Sequence, residues 1–194
     1  MGRVSQAAWI YIAAVVIAAA SVVAPRLSGP PMGTGWWLSL GVIMLLFLIC
    51  DSTPTPLAAR QSAWSPSSSA TLAAVVLLGP LGAALVGTVS VLSLRRKLLL
   101  AERVFNGGMY AVSGFAAGQT FVALGGHIGL PRPGDFPAIV WPFAAAAAAH
   151  VFVNLGLMWG VLQLTRHEGA RRHQLESSLP LLLASDLGTR RLVS

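Results

Sequence analysis

The chain alternates long apolar runs with short polar breaks, and the length of each run sets the reading. Ala7 to Ala24 is apolar over about 18 residues, enough to cross a hydrocarbon core about 30 Å thick. Pro25 and a polar turn from Arg26 to Thr34, holding Pro30-Pro31, close it. A second run, Trp36 to Cys50, opens on paired indoles suited to the headgroup layer and stops at Asp51-Ser52-Thr53-Pro54. A polar connector with Arg60 and Trp64 spans Thr55 to Pro66. The stretch from Ser67 to Leu94 then carries no charge and is interrupted once, at Gly79-Pro80-Leu81-Gly82.

That stretch is too long for one perpendicular span. At ~1.5 Å per residue, about 28 residues make roughly 42 Å of helix. Divided at Gly-Pro, each leg is short, near 12 or 13 residues, and a tight turn is easy because proline lacks a donor and glycine tolerates turn dihedrals. A kinked, tilted single helix is the other solution. Excess length and the break favour a short Gly-Pro hairpin, whose legs are the third and fourth helices. A fifth, amphipathic helix is expected from Leu99 to Leu124, and a sixth from Phe136 to Leu164. Between them Gly125 to Gly134 forms a loop with His127 and Arg132.

The expected fold is therefore all-α: a polytopic membrane protein of about six transmembrane helices. Composition agrees, with 55% hydrophobic and 10% charged residues and a mean hydropathy of +0.72. One transmembrane domain is expected over residues 1–165, followed by a basic cytoplasmic tail over 166–194. Leu179 to Ala184 in that tail is too short to span. The first run extends past Ala18-Ala19-Ala20, so it reads as a retained helix, not a cleaved signal.

The net charge of +7 changes the picture only in sidedness. The basic residues sit beside apolar runs, which is the positive-inside pattern and not a nucleic-acid footprint. With six helices and the N-terminus inside, Arg3, Arg60, Arg95, Arg96, Lys97, Arg103 and the tail arginines are cytoplasmic, against Arg26 and Arg132 outside. With five helices the N-terminus moves out, but the Arg95-Arg96-Lys97 cluster and the tail stay in. The expected location is the plasma (inner) membrane, with the C-terminus and the N-terminus both cytoplasmic. Trp64, Trp141 and Trp159 sit near predicted helix ends, as belt anchors do.

Candidate chemistry is sparse. Asn106, Tyr110, Ser113 and Ala117 share one face of the fifth helix, at i, i+4, i+7 and i+11. Polar groups in lipid need partners or a cavity, so this face either lines a ligand site or hydrogen-bonds between helices. His150 and Asn154, again i and i+4, pose the same choice on the sixth helix. The single cysteine, Cys50, excludes an internal disulfide and a cysteine-based metal site, and His150 has no ligand neighbours in sequence, so no metal or cofactor is expected. Ala83 with Gly87, and Gly114 with Gly118, give the small-xxx-small spacing of close-packed helices. Ser113-Gly114 with His150-x-x-x-Asn154 superficially resembles rhomboid proteases, but the motif order is reversed and Ala111 stands where their first glycine belongs. Paired carboxylates and a phosphate loop are absent from the sequence, so the chain is not expected to be an enzyme.

Two families share parts of this pattern. Ser68-Ser69, nine residues, then Gly79-Pro80-Leu81-Gly82-Ala83-Ala84-Leu85-Val86-Gly87 resembles the short helix, Gly-Pro turn and short helix of the substrate-binding S components of energy-coupling-factor transporters. Val76 to Leu94, then Arg95-Arg96-Lys97, then Phe105-Asn106 with Tyr110 and Ser113, more closely resembles the N-terminal membrane sensor region of actinobacterial HD- or GGDEF-type signalling proteins. The resemblance spans residues 35 to 188. It implies a sensory or ligand-binding membrane domain that acts through a protein partner or a cytoplasmic output domain. On that reading the polar faces of the fifth and sixth helices supply the candidate contacts to a small-molecule ligand: Asn106, Tyr110, Ser113, His150 and Asn154. The S-component likeness implies, as the alternative, a subunit of a vitamin-type transporter. A scaffold without ligand is the third reading. The chain departs from the sensor pattern after Gly188, where it runs Thr189 to Ser194 with no catalytic domain following.

Overall fold

The computed structural model describes residues 6–27, 32–52, 66–93 and 99–189, with residues 26, 27, 66 and 166–189 described as backbone only. Among these residues the fold is all-helical: α1 (Gln6–Leu27), α2 (Thr34–Ser52), α3 (Pro66–Thr88), α4 (Leu100–Ala123) and α5 (Val140–Thr189). A 3₁₀ turn, Val89–Leu92, extends α3, and another, Pro133–Asp135, precedes α5. Arg60, Trp64 and the Arg95-Arg96-Lys97 cluster lie outside the described residues.

Four helices are long and apolar enough to cross a membrane: Gln6–Pro25, Thr34–Ser52, Ser67–Leu92 and Val140–Thr165. Their outward faces carry exposed Ile10, Ile17, Leu38, Val42, Leu45, Phe152 and Trp159, surface that suits lipid and not water. The expected fifth span, α4, is not among the four, because Glu102, Arg103, Asn106 and Gln119 dilute its hydropathy. It nevertheless sits inside the bundle, touching α1, α3 and α5.

The interior belongs to α3, 61% buried across its apolar span against 22% or less for the other three. Leu40, Ile43 and Phe47 of α2 pack with Val75, Leu78, Ala83 and Val86 of α3, and with Ala117 and Phe121 of α4. The helix is broken at Gly79, whose φ of +73° and ψ of −166° lie where side chains are disfavoured. Pro80 follows and has no N–H to give. The Val76 carbonyl takes its hydrogen bond from Gly129 N, at 2.9 Å, so the loop after α4 caps the break. Ile128 of the same loop covers Gly79.

Small residues let α3 and α4 approach to backbone contact. Beyond the break, Gly87 has no room for a Cβ against Tyr110 and Ala111, Ala83 packs on Gly114, and Pro80 packs on Gly118. Val91 and Thr88 meet Gly107. Before the break, Ser67 reaches Tyr110 and Thr71 reaches Gly114. Both small-xxx-small pairs read from the sequence lie in this seam.

Helix ends explain the remaining boundaries. Glu102 accepts the Leu99 N–H at 3.0 Å and starts α4. Gly126 N to Phe121 O and Gly125 N to Val122 O close it as a Schellman turn, with Gly125 at φ +87°. α1 runs through Pro25 to Leu27, beyond its expected stop at Ala24, because a proline in the last turns removes only one bond. Asp51, expected to end α2, lies within its last turn and is buried. The sixth expected helix begins at Val140 and not Phe136, since the 3₁₀ turn and Pro137 occupy the intervening residues. It continues unbroken to Thr189, so the expected tail is helical backbone over most of its length.

Candidate functional site

Aromatic side chains bring three helices together at the level of Tyr110 on α4. Its ring meets Phe47 of α2 edge-on, with centroids 5.4 Å apart and planes at 83°. It also faces the His150 ring of α5, with centroids 6.3 Å apart and planes at 24°. Ser67, in the first turn of α3, donates a long 3.5 Å hydrogen bond to the Tyr110 hydroxyl. Tyr110 is thus held by α2, α3 and α5 at once.

Ser113, one turn along α4, is fully buried and spends its hydroxyl on the Tyr110 carbonyl at 3.2 Å. Such a back-bond spends the hydroxyl's donor within its own helix and leaves only its lone pairs to accept. Thr71 does likewise, donating to the Ser67 carbonyl at 3.3 Å. His150 is different. It is 1% exposed, and neither Nδ1 nor Nε2 makes a hydrogen bond. The backbone of Ser113 lies beside the ring without reaching hydrogen-bond geometry. A buried imidazole with both nitrogens idle forgoes of order 1–3 kcal/mol per unmet group.

α4 and α5 pass in opposite directions. Tyr110 and Ser113 stand by His150, while Tyr11 of α1 links Phe105 (centroids 6.1 Å) to the Leu157 carbonyl (3.0 Å). Asn106, one turn before Tyr110, and Asn154, one turn after His150, therefore lie in the same direction along the seam. Both are half-buried, and among the described residues no hydrogen bond to either side-chain amide is found.

Of the five expected site residues, Tyr110, Ser113 and His150 are in one cluster, and Asn106 and Asn154 extend it by a turn. Sequence reasoning missed Ser67 and Phe47 as their neighbours. The serine run at the head of an apolar stretch, Ser67-Ser68-Ser69, was a usable signal for the first; a phenylalanine in an apolar helix gives none. Among the described residues no three of His, Cys, Asp and Glu gather as metal ligands. The contacts the cluster makes are hydrogen bonds and aromatic pairs. Comparisons of the chain with protein-family models, curated proteins and solved structures found no match.

Proposed function

We propose that this chain is an integral membrane domain that binds a small molecule between α4 and α5 and works through a protein partner or a cytoplasmic output domain. The observation that carries the reading is His150, buried at a helix seam with both ring nitrogens idle. Polar groups in membrane interiors are costly unless they have partners or serve a function. Ser113 beside it spends its donor within its own helix, which leaves His150 as the buried polar side chain of this seam without a hydrogen bond among the described residues. The role is binding, not catalysis.

The domain has six membrane segments, with α3 folded as a hairpin of two short legs. The contact order supports this. Before Gly79, Ser67 and then Thr71 meet Tyr110 and then Gly114, moving along α4. After it, Pro80, Ala83 and Gly87 meet Gly118, Gly114 and Tyr110, moving back. An even number of segments puts both termini on one side, and the Arg95-Arg96-Lys97 cluster makes that side cytoplasmic in the plasma membrane.

Output runs through α5, which carries His150 and Asn154 and continues as one helix to Thr189, about 75 Å in all. A ligand that favours one packing of α5 displaces its far end, which is what signalling requires. A transporter subunit is the second reading, favoured by the broken α3 beside the cluster, since carriers build sites at interrupted helices. Co-purification with a coupling subunit and ATPases separates the two.

Native mass spectrometry of the protein taken gently from its host membrane tests the binding. The expectation is a reproducible small-molecule adduct on the wild type, absent from His150→Phe at unchanged thermal stability. A bare wild-type chain would overturn the reading.

A further inference from the structure

The chain that joins α4 to α5 gathers exposed apolar side chains. Leu124, Ile128, Leu130, Phe136, Val140 and Trp141 are all exposed, Leu130 by 84% and Trp141 by 70%. Exposed apolar residues are ordinary when scattered singly, but so many in one short segment mark a surface with a partner. We propose that this loop, residues 124–139, lies in the headgroup layer of the bilayer and takes phospholipid as its partner, with Leu130 and Phe136 turned toward the acyl chains. The inference is independent of any ligand between α4 and α5.

The loop is held in shape by its own contacts. The Gly129 N–H donates to the Val76 carbonyl at 2.9 Å, and Ile128 covers Gly79, which ties the first half to the break in α3. In the second half Asp135 accepts the Arg132 N–H at 2.6 Å, and the Asp135 N–H returns to the Arg132 carbonyl at 2.9 Å. Leu130 and Phe136 therefore project from a fastened backbone, and packing onto the bundle does not cover them.

Its level in the membrane follows from α5. The apolar span of that helix begins at Val140, directly after the loop. Trp141 in the first turn is an indole of the kind that settles among headgroups. The exposed apolar surface continues along the chain from Phe136 into α5, where Phe152 and Trp159 are exposed to lipid. Composition suits the boundary and not the hydrocarbon core. Pro131, Pro133 and Pro137 keep the segment out of a regular helix, so its backbone needs the water that headgroups retain. Arg132 is exposed and makes no ion pair among the described residues, and its forked guanidinium matches a lipid phosphate.

Depth is read by electron paramagnetic resonance. Cys50 is the single cysteine of the chain, so Cys50→Ser gives a background for one nitroxide label at a time. Leu130→Cys and Phe136→Cys carry the label in the loop, and Phe152→Cys carries it on the lipid-facing side of α5. All three positions are exposed, so the label displaces no packing, and melting temperature checks each variant. In vesicles of phosphatidylethanolamine and phosphatidylglycerol, collisions with oxygen are compared with collisions with a water-soluble nickel chelate. The expected oxygen-to-nickel ratio in the loop is several-fold above that of the free label in water and below that at Phe152→Cys. A ratio equal to that of the free label would put the loop in water and overturn the proposal. Few collisions with either reagent would mean that protein, a second copy included, covers the loop, and would overturn it too. A ratio at or above that of Phe152→Cys would put the loop in the hydrocarbon core and overturn the headgroup placement.

Discussion

The His150 ring lies within 24° of parallel to the Tyr110 ring, centroids 6.3 Å apart, while the Tyr110 hydroxyl takes a hydrogen bond from Ser67 on a third helix. Ring and hydroxyl therefore have separable roles. Tyr110→Phe keeps both aromatic contacts and loses one long hydrogen bond, so stability falls by about 1 kcal/mol or less. Tyr110→Ala empties the junction of α2, α4 and α5 and costs about 3–5 kcal/mol. Reversible unfolding in mixed micelles reads both. Equal effects would mean that the ring does not hold the junction.

Much of this was legible in the sequence, and the limits have physical causes. Run lengths locate the apolar helices because a bilayer sets a length. The spacing of Tyr110 and Ser113 on one helix, and of His150 and Asn154 on another, shows two polar faces. It does not show that they meet, since that depends on the directions of α4 and α5. Phe47 and Ser67 are invisible as site neighbours for the same reason: their roles arise from packing across helices distant in sequence. The central position of α4 ran against its low hydropathy, because glycine backbone contacts with α3, not apolar side chains, place it there. The start at Val140 was missed because Phe136 and Ile139 read as apolar span although a turn holds them.

The seam between α3 and α4 depends on missing side chains. At Gly118 and Gly87 a methyl group would collide with the backbones of Pro80 and of Tyr110-Ala111. Gly118→Ala and Gly87→Ala should each cost about 1–3 kcal/mol or more, because rigid backbone must move apart. Gly156, on α5, has nothing within 4 Å of where a Cβ would lie. Gly156→Ala should be neutral or slightly stabilising by helix propensity. A melting-temperature series in one detergent checks the contrast; a loss at Gly156 matching that at Gly118 would contradict it.

Tyr11 joins α1 to α5 by one hydrogen bond to the Leu157 carbonyl, 3.0 Å long. Tyr11→Phe removes that bond and keeps the ring on Phe105. The expected loss is about 0.6 kcal/mol and at most about 1.7, the mean and upper end for interhelical hydrogen bonds in membranes. A loss beyond about 3 kcal/mol would show that the hydroxyl supports more than this contact.

Sidedness tests the proposed hairpin. If α3 turns back at Gly79, both termini share the cytoplasmic side, and green fluorescent protein fused to either terminus of the chain should fluoresce. A fluorescent C-terminal fusion with a dark, exported N-terminal fusion would mean that α3 crosses once. Gly79→Ala adds a separate check. At φ +73° and ψ −166° a Cβ is strained by about 1–3 kcal/mol and also meets Ile128, so the variant should be destabilised.

The most direct test of the binding site is a density map of the protein carried from its host membrane into nanodiscs without detergent extraction. The account predicts non-protein density between α4 and α5, within about 2.7–3.2 Å of a His150 ring nitrogen and in reach of Asn106 and Asn154. A closed seam, with both His150 nitrogens bonded to protein groups such as the Ser113 backbone, would contradict it.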